Sequence, residues 1–179
     1  MGIISDSHDD IENINKAIDI FLENNVDIVI HGGDIISPPM IKEFQRLTEH
    51  KIKFYGVLGN NDGEKKGLQI AFNSINGFFL GDIGKIEIDG LKFCIYHGTD
   101  PKKNEKIINS QKFDVFISGH THIRIPNDET LKKIGKTIIL NPGNAHSNQK
   151  MYHTEPPYFR NPTIIIFTTT SLSVKIFNI

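Results

Sequence analysis

The sequence predicts an α/β protein in which two β-sheets pack face to face with helices outside them. Three observations carry this. The first half alternates apolar runs with segments of helical period in the order β-α-β-α-β, which calls for parallel strands joined by crossover helices. The second half is richer in strands, and its Asp89-Gly90 pair between two apolar runs is a hairpin signal. With 38% hydrophobic and 23% charged residues, the 179-residue chain can bury a substantial core and reads as one domain, 1–179.

A very short strand, Gly2 to Ser5, opens the chain. Ile11, Ile14, Ile18, Phe21 and Leu22 then repeat at helical spacing behind Asp9 or Asp10 as cap. Asp27 to His31 is a buried strand. A second helix, carrying Ile41, Phe44 and Leu47 on one face, follows the glycine pair and the prolines Pro38 and Pro39. Lys53 to Leu58 is the third strand. Beyond it the pattern gives a helix over Lys65 to Asn73, paired strands over Ile83 to Ile88 and Leu91 to Tyr96, and a charged helix from Pro101 to Ser110. Val115 to Ser118, Thr137 to Leu140, Thr163 to Thr168 and Ser173 to Phe177 read as strands. Ala145 to Pro162 is the one long irregular segment, a length usually functional or mobile. There is no internal repeat and no domain linker.

Composition narrows the function. A formal net charge of −1 gives no global attraction to nucleic acid or anionic membrane, so an anionic ligand must be held by local charge. No apolar run reaches the ~20 residues of a membrane span. The N-terminus MGIISDSHDD turns polar too early for a signal peptide. Cys94 is the only cysteine and lies in the apolar run LKFCIY, the setting of a buried, inert thiol. These features place the protein in the reducing cytoplasm.

The polar residues fall at strand ends. Asp6, Ser7 and His8 follow the first strand, His31 and Asp34 the second, and Asn60 the third. His97 follows Leu91 to Tyr96, and His120 and His122 follow Val115 to Ser118. In α/β sheets ligands gather beyond the carboxyl ends of the strands, so five segments deliver carboxylates, imidazoles and an amide to one edge. Each piece is weak alone. Asp6 and His8 fit a turn with a helix cap equally well, and His120 and His122 fit a solvent-facing turn. An i,i+2 spacing in extended backbone points both side chains the same way, so each pair could pinch an ion. Hard oxygen plus imidazole without thiolate suits Mn, Fe(II), Zn, Ni or Co. His31, before the glycine pair, reads as a structural hydrogen-bonding histidine.

Asp6-x-His8, Gly33-Asp34, Gly59-Asn60-x-Asp62, His97-Gly98 and Gly119-His120-Thr121-His122, in that order, resemble the calcineurin-like metallophosphoesterases. The short length and the Asn141-Pro142-Gly143 turn are similar to the small YfcE-type phosphodiesterase branch. The resemblance spans about residues 2 to 144. It implies a four-layer αββα sandwich of two mixed β-sheets with a dinuclear metal site. By the same resemblance Asp6, His8 and His122 hold one metal, Asn60, His97 and His120 the other, and Asp34 bridges them. Asp34, Asn60 and His97 are the implied catalytic centre. The implied cofactor is two divalent ions, manganese first, with nickel, zinc or iron also compatible. The implied reaction is hydrolysis of a small phosphodiester by a metal-bridging hydroxide.

Two departures bear on substrate. Many larger family members carry histidine, oriented by the neighbouring aspartate, where this chain has Asn61, and an amide is no proton donor at useful pKa. That removes a leaving-group acid, favours a diester or a good leaving group, and deprives Asp62 of its partner there. Thr99 stands where relatives often have a second histidine. Asn61 and His146 are the candidate substrate contacts, His146 against the plainer reading of a solvated loop residue. Tyr152, His153 and Arg160 are weaker candidates. The alternatives are a phosphomonoesterase of small metabolites or nucleotides, and a non-catalytic binding module like the retromer subunit of similar fold. A full set of seven ligands favours the enzyme. No large nucleic acid and no membrane is expected as partner, and a homodimer is compatible with family habit.

Overall fold

The computed structural model describes residues 1–147 and 161–179. Among the described residues eleven strands form two sheets. They are β1 (Gly2–Ile4), β2 (Ile28–His31), β3 (Lys53–Gly56), β4 (Phe78–Phe79), β5 (Gly84–Ile88), β6 (Leu91–Ile95), β7 (Val115–Ile117), β8 (Lys132–Ile134), β9 (Thr137–Leu140), β10 (Thr163–Thr168) and β11 (Ser173–Asn178). The helices are α1 (Ile11–Glu23), α2 (Gln45–Glu49), α3 (Lys65–Ser74) and α4 (Pro101–Asn109), with a 3-10 helix at Pro38–Phe44.

The six-stranded sheet has the order β11-β10-β1-β2-β3-β4, and β1, β2, β3 and β4 run parallel. The five-stranded sheet has the order β5-β6-β7-β9-β8, with β6, β7 and β9 parallel and the β5-β6 hairpin antiparallel. Both sheets are therefore mixed. The last two strands return to the first sheet, where β10 pairs antiparallel with β1, Ile3 opposite Ile165. Three elements depart from the sequence reading. β4 is only two residues long, β8 (Lys-Lys-Ile) is exposed throughout and carries no apolar alternation, and the segment after the prolines begins as a 3-10 helix.

Alternation along each strand builds the layers. Ile3, Ile30, Ile165 and Phe167 of the first sheet meet Phe93, Ile95, Val115, Ile117, Ile138 and Leu140 of the second in one buried cluster between the sheets. The intervening residues Ile4, Val29, Ile164 and Ile166 face the other way, onto Ile14, Ile18, Phe21, Phe44 and Phe72 of the helical segments. On the far side of the second sheet Cys94, Tyr96, Phe116 and Ile139 pack against Ile107 and Ile108 of α4. Helices, sheet, sheet and helix thus form the αββα order. Each fully buried Ile or Phe in these layers contributes about 1.5–3 kcal/mol before the entropy of ordering it.

α1 starts where Asp10 accepts a hydrogen bond from the Asn13 N–H at 3.1 Å. Cys94 is buried, and burial pushes its thiol pKa up to about 11, an unreactive group. No helix among the described residues is long and apolar enough to cross a membrane.

Candidate metal centre

Parallel pairing carries the loops after β1, β2, β3, β6 and β7 to one edge. The ladder between β1 and β2 continues past the strands, with Gly32 N–H donating to Ile4 O, Asp6 N–H to Gly33 O and His8 N–H to Asp34 O at 2.8–3.1 Å. Gly119 N–H donates to His97 O at 2.8 Å and fixes the loops after β6 and β7 to each other. These loops turn sharply. Asp6, His8, Asp34, His120 and His122 all have positive φ, between 42° and 66°. Such backbone is uncommon outside glycine and gathers at functional sites, where surrounding structure holds it. The two i,i+2 pairs are therefore turns, not extended chain: the first still brings the donor atoms of Asp6 and His8 within 4.8 Å of each other, while the second sends its two rings to different neighbours. His120 faces His97, with ring centroids 5.3 Å apart, while His122 lies 5.6 Å from His8.

Two buried carboxylates form the middle. Asp6 Oδ2 accepts from the Ser5 hydroxyl at 2.6 Å, the His120 N–H donates to Oδ2 at 3.0 Å and Oδ1 at 3.2 Å, and Oδ1 also faces His122 Nε2 at 3.2 Å and His97 Nε2 at 3.8 Å. Asp34 accepts the Asn61 N–H on Oδ1 at 2.8 Å and the Asn61 side-chain amide on Oδ2 at 2.7 Å. Its Oδ2 also lies 3.3 Å from His97 Nε2 and 3.6 Å from His8 Nε2. Burial opposes charge on Asp34, yet His97 and the two Asn61 donors outweigh it and hold the carboxyl well below the usual carboxylate range.

Glycines allow the close approach. A Cβ on Gly119 would overlap Ser5 Oγ, and one on Gly59 would overlap the Asp34 carboxylate. Asp62 locks the two loops together. Its carboxylate accepts the N–H groups of Asp34 (2.9 Å), Ile36 (2.7 Å) and Gly59 (2.7 Å). It has thus exchanged the expected histidine partner for three backbone donors.

The imidazoles are poised as acceptors. His97 Nδ1 lies 2.8 Å from Gly32 O, and a carbonyl only accepts, so Nδ1 carries the proton. In the neutral ring that tautomer turns the Nε2 lone pair toward Asp34 and Asp6. His8 Nε2 and His97 Nε2 are buried and make no hydrogen bond. His97 Nε2 is near enough to Asp34 for one but is not aligned for it. Lone pairs facing carboxylate oxygens repel unless a positive charge lies between them, so this arrangement fits a cation. Burial opposes a proton on His97, but Asp34 and Asp6 outweigh burial and raise its pKa. Burial lowers the pKa of His8, and burial with the neighbouring His97 lowers that of His120, so both rings keep their lone pairs at neutral pH.

The donor atoms of Asp6, His8 and Asp34 lie within 4.8 Å of one another, as do those of His8, His122 and His146. His8, Asp34, Asn60, Asn61, His120 and His122 line a cleft of about 800 Å³. Asn60 is exposed on its rim, its Oδ1 accepting from the Thr99 hydroxyl at 3.4 Å. The position of Asn61 serves Asp34 first, as its amide is committed to that carboxylate. His146 is not the solvated residue of the plainer reading. It is buried, 4.6 Å from His8 between ring centroids, and burial pushes its pKa down to about 4. Ser5 and Gly32 act on the centre without a metal-binding signature, so only their adjacency to motif residues points to them, whereas Asp62 belongs to the Gly59-Asn60-x-Asp62 motif itself. His31 accepts the Gly33 N–H on Nδ1 at 3.2 Å and meets Ser7 Oγ through Nε2 at 3.0 Å, a structural histidine as read from the sequence. Tyr152, His153 and Arg160 lie outside the described residues.

Comparison with known proteins agrees with this geometry. The model of the calcineurin-like phosphoesterase superfamily domain matches residues 1–168. Phosphodiesterase MJ0936 of Methanocaldococcus jannaschii is 42% identical over 144 residues, covering 80% of this chain and 82% of that protein. The solved structure of an archaeal phosphodiesterase superposes with a TM-score of 0.85 at 36% identity, over 99% of this chain and 98% of that one. YfcE, a phosphoesterase from E. coli, superposes with a TM-score of 0.60 at 16% identity over 99% of each chain, a likeness of fold.

Proposed function

This chain belongs to the calcineurin-like phosphoesterase superfamily, and from that premise we propose that it is a metal-dependent phosphodiesterase acting on small phosphodiesters. The observation that carries the reading is the convergence of Asp6, Asp34 and the Nε2 atoms of His8, His97 and His122 on one buried point.

Asp6, His8 and His122 would hold one divalent ion and Asn60, His97 and His120 a second, with Asp34 shared. Such a pair supplies Lewis acidity, making water a nucleophile near neutral pH and drawing charge from the phosphoryl oxygens. Against two divalent ions the Asp6 and Asp34 carboxylates return −2, leaving the site about +2, a charge suited to an anionic ester. The chain's own groups set the geometry. Asn61 and Asp62 fix Asp34, Ser5 and the His120 N–H fix Asp6, and Gly32 O selects the His97 tautomer. This preorganisation leaves little to rearrange when charge develops.

Asn61 spends its side chain on Asp34, and no ring stands in its place to protonate a departing alkoxide. A diester with a good leaving group is the substrate this arrangement handles best. Manganese is our choice of ion, on the hard oxygen donors Asp6, Asp34 and Asn60 that stand among the imidazoles and on the absence of thiolate. The lone buried thiol suits a cytoplasmic protein. The test compares hydrolysis of bis-p-nitrophenyl phosphate and p-nitrophenyl phosphate by metal-stripped protein after Mn²⁺ addition. Metal-dependent turnover with the diester favoured is expected. A clear preference for the monoester would move the assignment to a phosphomonoesterase.

A further inference from the structure

We propose that His146 is an eighth ligand of the metal centre, joining Asp6, His8 and His122 on one ion. The inference rests on the reading of the site as a dinuclear centre, and it adds a residue from outside the five motifs.

The nitrogens of His8, His122 and His146 lie within 4.8 Å of one another. The His146 ring centroid is 4.6 Å from that of His8 and 5.2 Å from that of His122, and the residue is only 4% exposed. Its backbone is held on both sides. Ala145 N–H donates to Ser5 O at 3.0 Å and Asp6 O at 3.2 Å, which ties the residue before it to the loop that carries Asp6. Ser147 donates to Asp10 Oδ2 through its N–H at 2.9 Å and its hydroxyl at 2.8 Å. The Asn144 side-chain amide donates to His146 O at 2.6 Å. A loop merely passing by would not need anchors to Ser5, Asp6 and Asp10 that converge on one buried ring.

The consequence is an unequal pair of sites. One then has three imidazoles, His8, His122 and His146, beside Asp6 and the shared Asp34. The other keeps Asn60, His97, His120 and Asp34. Imidazole-rich sets favour Zn, Fe, Co and Ni over Mn, and a site with more protein donors has fewer positions left for substrate. The His146 side therefore retains its ion tightly, and the Asn60 side is the one that stays open to the phosphoryl group.

The full chain, stripped of metal and reloaded with two equivalents of Co²⁺, tests this by paramagnetic proton NMR in water. Five strongly shifted imidazole N–H signals are expected, one each from His8, His97, His120, His122 and His146, and His146→Ala should remove one of them. Chelator competition with Co²⁺ should show one of the two affinities reduced at least about tenfold in His146→Ala and the other unchanged. Four signals in the wild type, or a variant that keeps both affinities, overturns the role of His146 and leaves the phosphodiesterase reading standing. A wild-type chain that takes up fewer than two Co²⁺ overturns the dinuclear reading, and the role of His146 with it.

Discussion

Asn61 grips Asp34 twice, through its backbone N–H to Oδ1 at 2.8 Å and through its side-chain amide to Oδ2 at 2.7 Å. The carboxylate at the centre of the site is thus oriented by the residue that replaces the histidine of many relatives. Removing the amide in Asn61→Ala frees one oxygen and leaves the backbone bond. Asn61 is exposed, so the fold should keep its stability within about 0.5 kcal/mol. Affinity for the more weakly held Mn²⁺ should fall on the order of 10-fold, as outer partners of ligating carboxylates typically contribute that much. Chelator competition on wild type and variant measures it. An unchanged affinity would mean that the backbone bond alone positions Asp34.

Asp62 is the strongest stability prediction. Asp62→Ala leaves the N–H groups of Asp34, Ile36 and Gly59 without their acceptor at a residue that is 3% exposed. Buried donors left unpaired cost about 1–3 kcal/mol each, and partial water entry reduces the sum to on the order of 3 kcal/mol. Urea unfolding of the metal-free protein reads it. Asp62→Asn keeps one accepting oxygen and should lose less. Equal stability of Asp62→Ala and wild type would show that the two loops hold together without the clamp.

A pair of glycine substitutions separates close approach from flexibility. Gly119→Ala places a methyl group on the Ser5 hydroxyl and the Asp6 carboxylate, whereas Gly63→Ala meets nothing within 4 Å. The first should displace Asp6 and abolish tight binding of at least one ion, seen by equilibrium dialysis. The second should bind as the wild type does. Normal metal content in Gly119→Ala would show that Asp6 tolerates the displacement.

His31 sets an acid limit on the metal-free fold. Burial lowers its pKa from 6.5 to about 3, and its Nδ1 is already occupied accepting the Gly33 N–H. The unfolded chain therefore protonates that ring first as pH falls. The stabilisation is complete above about pH 6.5 and is lost progressively down to about pH 3, by up to about 1.4 kcal/mol per pH unit. Between pH 7 and pH 5 the wild type should lose about 2 kcal/mol more than His31→Gln. Urea midpoints at the two pH values decide it, and parallel losses would assign the acid sensitivity elsewhere.

The motif residues were legible because parallel strands end at one edge, and a carboxylate or imidazole just after an apolar run needs no further geometry to be placed there. The parallel core β1-β2-β3 was legible for the same reason, from its crossover helices. What escaped has physical causes. The return of β10 to pair with β1 is a contact across more than 160 residues and leaves no local trace. β8 is exposed on every residue, so it has no inward face to betray it. His146 was read with the long loop because Ala145 to Pro162 lacks periodicity, yet two backbone bonds from Ala145 bring the start of that segment into the site. Asp6/His8 and His120/His122 stand at the predicted edge, but positive φ makes each pair a turn and not extended chain, keeping Asp6 and His8 together and sending His120 to His97 and His122 to His8.

The most direct measurement follows hydrolysis of bis-p-nitrophenyl phosphate as metal-stripped protein is titrated with Mn²⁺, with bound metal counted in the same samples and Asp34→Asn treated alongside. Turnover should rise with metal and level off at two ions per chain, and Asp34→Asn should lose both tight binding and turnover. Full turnover in the metal-free protein, or an Asp34→Asn variant with two ions and the wild-type rate, would contradict a phosphodiesterase built on Asp34.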